Sequence, residues 1–118
     1  MQGCSDADPQ KSPYYYDRLK DFVNDVREEF KDYASEDGIG FIDGGIHDAH
    51  VMTMHSVVND AKKRFAEESD INEFIDTQGL ELSYNKEPVG NIDYWHYDSD
   101  GMIKLGHAFG EVLVDKFL

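Results

Sequence analysis

The chain has 118 residues, with 25 Asp and Glu against 11 Lys and Arg and a formal net charge of −14. Such an excess of negative charge repels phosphate backbones and anionic headgroups, which argues against nucleic acid or a membrane surface as partner. The length suits one domain with one core, the 40% hydrophobic share is that of a folding chain, and the single cysteine excludes an internal disulfide framework. The sequence contains no apolar run of about 18 residues that would span a bilayer, and its N-terminus lacks the basic-then-apolar layout of a signal peptide. Neither observation assigns a compartment.

Asp8 to Pro13 reads as a loop, with Ser12 as a helix N-cap and Pro13 at the first helical position. Leu19, Phe22, Val23, Val26, Phe30 and Tyr33 then recur at helical spacing between charged residues, which predicts an amphipathic helix of about five turns lying on a sheet. Residues Ile39 to Ile46 read as a short buried strand leaving through the Gly44-Gly45 pair. A second helix is predicted from Met54, Val57, Val58, Ala61 and Phe65, with Lys62, Lys63, Arg64, Glu67 and Glu68 facing water. Asn72 to Asp76 forms a second strand, and the polar, glycine-punctuated stretch from Thr77 to Trp95 reads as a long functional loop. The last helix, about Asp100 to Phe117, is expected to bury Met102, Leu105, Phe109, Val112, Leu113 and Phe117. Strands alternating with helices argue for parallel α/β units, whose ligand sites gather at the carboxyl ends of the strands.

The stretch richest in chemistry is Asp93-Tyr94-Trp95-His96. An Asp three residues before a His can hold the imidazole through Nδ1 and leave Nε2 as a general base, which is two-thirds of a hydrolase triad. Gln2-Gly3, at the head of Gln2-Gly3-Cys4-Ser5-Asp6-Ala7, either ends a strand as scaffold or makes an oxyanion or substrate contact, the glycine turn bringing backbone N–H groups close to a developing oxyanion. Cys4 is expected to be a buried, inert thiol, because nothing beside it in sequence lowers its pKa and Asp6 and Asp8 would raise it. His47-Asp48-Ala49-His50, with His55, has the composition of a metal site but not the fixed scaffold and closing partners that zinc takes; a solvated loop is the expectation, with no metal and no cofactor. Tyr94, Trp95 and Tyr97 can either stack on a sugar ring or pack the loop that carries His96.

Together these blocks resemble the SGNH hydrolases, and within them the carbohydrate acetylesterases that include acetylxylan esterases and sialate O-acetylesterases. Gln2-Gly3-Cys4-Ser5-Asp6-Ala7 is similar to the family's Gln-Gly-Glu-Ser/Asn-Asp-Ala block, Asp76-Thr77-Gln78-Gly79-Leu80 to its Asp-Thr-x-Gly-Leu turn, and Asp93-x-x-His96 to the block before its last helix. The resemblance implies a partial three-layer, flavodoxin-like parallel sheet flanked by helices, with residues 1–118 forming a single domain like the C-terminal half of such an esterase. It implies an acetylated carbohydrate as substrate, with His96 as base and Asp93 as its orienting acid. Two departures are visible. No Gly-x-Ser-Asn block that would carry the nucleophile occurs in the sequence, and Cys4 stands where the family has an acidic residue.

Three readings follow: an acetylesterase whose serine comes from elsewhere, a non-catalytic carbohydrate-binding or assembly module, and an inactive esterase remnant. Two strands and a fragment of a third at residues 1–2 would leave a sheet edge uncovered. Self-association, or a complementary N-terminal half seated beside residues 1–7 and 39–46, is therefore expected.

Overall fold

The computed structural model describes residues 1–48, 51–85 and 91–118. Strand β1 (Phe41–Gly44) and strand β2 (Asn72–Ile75) pair in parallel, Phe41 opposite Asn72 and Gly44 opposite Ile75. Parallel neighbours need a crossover, and helix α2 (His55–Ala66) lies between them in the chain to supply it. Helix α1 (Tyr15–Glu29) packs against α2 on one face of the sheet, and helix α3 (Ser99–Phe117) covers the other. The sheet is thus a small parallel one flanked by helices, as the resemblance implies.

Alternation along β1 distributes its side chains between the layers. Phe41 meets Phe65 of α2 edge-on at 5.7 Å, and Asp43 pairs with Lys62 of the same helix. Gly40 and Gly44 face α3, where the rings of Phe117 and Phe109 occupy the space that a Cβ would need. The core gathers between α1, α2 and β1: Ala7, Tyr15, Leu19, Val23, Ile46, Met52, Val58 and Phe65 are all buried. Each large apolar side chain buried there contributes about 1.5–3 kcal/mol.

The structure corrects several expectations. α1 ends at Glu29 after a 3-10 turn over Ser12–Tyr14, and its capping position is Tyr14, so Ser12 does not cap it. Only Tyr15, Leu19 and Val23 of this helix are buried, while Phe22, Phe30 and Tyr33 are exposed, because α1 lies mainly on α2 and offers it a narrow stripe. Residues 1–3 form no strand; Gly3 enters a 3-10 turn over Cys4–Asp6 instead. Thr77 to Trp95 is not all loop. A 3-10 turn spans Thr77–Leu80, and strands β3 (Tyr84–Asn85) and β4 (Asp93–Tyr97) pair antiparallel as a separate sheet. On α3 only Gly101 and Leu105 are fully buried; Met102 and Leu113, expected inside, are 55% and 45% exposed.

Candidate active site

Asp93 and His96 lie on β4, which leads at once into α3. The β3–β4 ladder pairs Tyr84 with Tyr97 and then Asn85 with Asp93, so one step along β3 spans four along β4. Tyr94, Trp95 and His96 form the excess, a bulge of the kind that bends a strand and re-aims its side chains. The bulge folds back on Asp93. One carboxylate oxygen accepts from the Trp95 N–H at 2.9 Å and the other from His96 Nδ1 at 2.7 Å. These contacts, the His96 hydrogen bond first, hold the Asp93 carboxyl below its ordinary pKa. With Nδ1 as donor, the His96 tautomer leaves the lone pair on Nε2, and the side chain is 74% exposed.

The base of the bulge is anchored to α3. Asp98 caps the helix by accepting from the Gly101 N–H at 2.8 Å, and its carboxylate also takes the Ser83 hydroxyl. The Asp98 N–H donates to Ser83 O at 3.0 Å. Gly101 is required there, since a Cβ would stand 2.8 Å from Ser83 O.

From the sheet side the bulge is held by His47. The sequence suggests a solvated loop for this residue, but it is buried, with its ring between Tyr84 and Tyr97 at centroid distances of 5.2 and 4.7 Å. Its Nε2 donates to Tyr94 O at 2.6 Å. Burial pushes the neighbouring Tyr97 hydroxyl up to about 12. His55 turns away, donating from Nδ1 to Met52 O at 3.1 Å, and His50 lies outside the described residues.

Four backbone positions at the exit of β1 collect the remaining blocks. Lys62 Nζ donates to Gly44 O at 2.7 Å, to Asp43 Oδ1 at 3.1 Å and to Gln2 O. The sequence places this lysine in water. In the structure it is buried, because α2 turns it toward three acceptors at the strand end, one for each ammonium proton. Burial lowers its pKa and Asp43 opposes the shift. Thr77 Oγ1 donates to Gly45 O at 2.7 Å. The amide of Asn59 closes a two-way pair with Ile46, receiving its N–H and donating to its carbonyl at 2.8 Å each. Gln78 Nε2 adds a bond to Ile46 O, and His47 continues to Tyr94. The Gln2 block, the Thr77 turn and the Asp93/His96 bulge therefore all attach to Gly44–His47.

Gln2 and Gly3 are fixed at the other side of this junction. Gly3 is buried with φ +107°, and a Cβ there would lie 2.9 Å from both Tyr15 Oη and Val58 Cγ1, so only glycine suits the position. Among the described residues Gln2 and Gly3 share no hydrogen bond with Asp93 or His96; the connection runs through Lys62 and the β1 exit. Cys4 is partly buried, and desolvation raises its thiol pKa with Lys62 only partly offsetting it, which keeps the thiol protonated and poorly nucleophilic.

A family model described as "Carbohydrate esterase, sialic acid-specific acetylesterase" matches residues 1–115. The chain belongs to that carbohydrate esterase family. Comparison with curated proteins and with solved structures returned no match. Family membership assigns an acetylesterase type of function and makes acetylated carbohydrate the corresponding substrate class. The motifs in the sequence that lead to the esterase family are spread over nearly the matched span. What the sequence did not signal was the bracing role of Lys62, Asn59 and His47, three polar side chains of the β1 junction whose bonds go mostly to backbone groups and therefore leave no motif.

Proposed function

We propose that this chain supplies the base and the orienting acid of a carbohydrate O-acetylesterase. The single observation that carries the proposal is the His96–Asp93 contact, with Nε2 open to solvent, in a chain of the acetylesterase family. A serine hydroxyl gives its proton to His96 Nε2 as it attacks the acetyl carbonyl, and Asp93 steadies the imidazolium that results. Collapse of the tetrahedral intermediate returns that proton to the departing sugar oxygen and leaves an acetyl-serine. Water, deprotonated by the same nitrogen, then releases acetate. Gln2 and Gly3 stand on the oxyanion or substrate side of the cleft in this reading, kept in place by Lys62 and the buried Gly3 turn.

The 118 residues hold no Gly-x-Ser-Asn block, so the serine is supplied by a complementary N-terminal segment or by another chain. The test measures hydrolysis of p-nitrophenyl acetate and of acetylated sugars. The chain by itself is expected to act no faster than its His96→Ala variant. Mixed with a serine-bearing N-terminal half of the same family, it should gain turnover that requires His96 and Asp93. Changing both should cost little more than His96→Ala alone, since residues acting as one unit lose activity non-additively. Turnover that survives His96→Ala, or additive losses, would overturn the shared catalytic unit.

A further inference from the structure

The aromatic side chains at the Asp93/His96 bulge divide into two kinds. Tyr97 is buried with its ring 4.7 Å from that of His47, and Tyr84 stacks on Tyr97 at 6.4 Å and meets Tyr94 edge-on at 5.3 Å. These tyrosines pack the segment that carries His96. Trp95 does not join them. It is 47% exposed, and its backbone N–H is bound to Asp93, yet among the described residues its indole has neither a ring partner nor a hydrogen bond.

The backbone beneath Trp95 is held on both sides, since Tyr94 O accepts from His47 and the Trp95 N–H donates to Asp93. An indole on such a braced segment has little freedom left to lose on binding. The bulge also breaks the alternation that sends neighbouring side chains to opposite faces, and Trp95 and His96 are both exposed. Their Cα atoms are about 3.8 Å apart, so a ring resting on the indole carries its substituents within reach of the imidazole. From Asp93 to Ile103 the chain has three Asp and no Lys or Arg, a setting that repels a carboxylated ligand.

We infer that Trp95 is the sugar platform of this site, taking the apolar C–H face of an uncharged pyranose on its indole and so holding an acetyl substituent beside His96 Nε2. The inference rests on the acetylesterase reading of that site. A pyranose with equatorial hydroxyls turns its axial C–H groups to one flat face, and these meet the negative face of the indole while the hydroxyls stay in water. The platform grips the ring and not the reacting ester, so it acts equally on ground state and transition state. Its contribution therefore falls on KM and not on kcat.

Trp95 is the chain's single tryptophan, so its emission reports the platform directly. Titration of the full chain with acetylated methyl β-glucopyranoside should change that emission saturably, with a Kd on the order of millimolar. Saturation-transfer NMR of the sugar follows variants that have lost the fluorophore, with circular dichroism to verify their fold. Trp95→Ala should weaken binding on the order of tenfold, and Trp95→Tyr should stay within about threefold of the native chain. Phe22→Ala removes an exposed aromatic from α1 and should change nothing. The acetylated methyl glucuronide should bind about threefold more weakly at low salt, the gap closing as salt rises. Emission indifferent to the sugar, binding that survives Trp95→Ala, an equal loss in Phe22→Ala, or a glucuronide preferred to the neutral sugar would overturn the inference. Esterase activity is read separately. Binding through Trp95 without turnover in the mixed halves would refute the acetylesterase reading alone, and turnover whose KM ignores Trp95→Ala would refute the platform alone.

Discussion

Lys62→Met isolates the buried charge at the β1 junction. The substitution keeps an unbranched apolar stem of similar length and removes the ammonium that serves Gln2 O, Asp43 Oδ1 and Gly44 O. Among the described residues, Asp43 is then left in the interior with the Met1 ammonium as its remaining cation, at 3.9 Å, and its Oδ2 is already without a partner. Removing one member of a buried ion pair costs about 3–5 kcal/mol, because the other charge stays desolvated. A domain of this size has stability on the order of 6–18 kcal/mol. The variant should therefore lose a large fraction of its margin and melt roughly 10–20 °C lower. Urea unfolding at neutral pH, followed by circular dichroism, gives the loss directly. The double variant Lys62→Met/Asp43→Leu removes both charges and should recover most of it, to within about 1–2 kcal/mol of the native chain. A single variant costing under about 1 kcal/mol, or a double variant no more stable than the single, would refute the reasoning from a buried, fully bonded ammonium.

Two further outcomes follow from the bulge. The Asp93 carboxyl should titrate below its ordinary value of 3.8, and His96→Ala should move it back toward that value, as followed by NMR of the side chain. Because the folded value lies below the unfolded one, the contribution of ionised Asp93 to stability is present above the ordinary value and fades as pH falls through the depressed one. His47→Phe keeps a ring between Tyr84 and Tyr97 but takes the donor away from Tyr94 O. It should cost about 1–2 kcal/mol in unfolding and speed amide exchange along β4, and unchanged exchange there would contradict the bracing role.

How much of this could be read from the residues depends on whether the deciding interaction was local. Asp93 and His96 are three residues apart, and their pairing is visible as a spacing because one bulge closes it. The two parallel strands and the helix between them were legible for the same reason, as runs of apolar residues with regular period. β3 was not, since two residues carry no alternation, and the bulge in β4 breaks the period that would have marked it as a strand. Lys62 sits in the run Lys62-Lys63-Arg64, which reads as a solvated face; only the assembled end of β1 distinguishes the first lysine from its neighbours. α3 is apolar on several sides, with Met102, Ile103, Leu113 and Val114 as hydrophobic as Leu105, so the pattern could not specify which stripe meets the sheet. The exposed apolar surface accordingly lies on α3 and along α1, whereas Phe41 and Ile42 of the region expected to be open are half-buried.

The four-residue closure of Asp93 on His96 has a consequence for how such a site can be moved. In a hydrolase whose acid and base come from distant segments, their alignment depends on the whole core and drifts whenever packing changes. Here Asp93, His96 and the backbone N–H that donates to the Asp93 carboxylate belong to one short stretch, with Asp98 and Gly101 tying its end to the helix that follows. The segment from Asp93 to Gly101 is close to a portable cassette: a bulge, a cap and a glycine contact that carry their own geometry. Grafted between a strand and a helix on another α/β scaffold, it would need a backbone carbonyl and a hydroxyl in the place of Ser83 and a donor in the place of His47 to present an oriented imidazole at a new cleft.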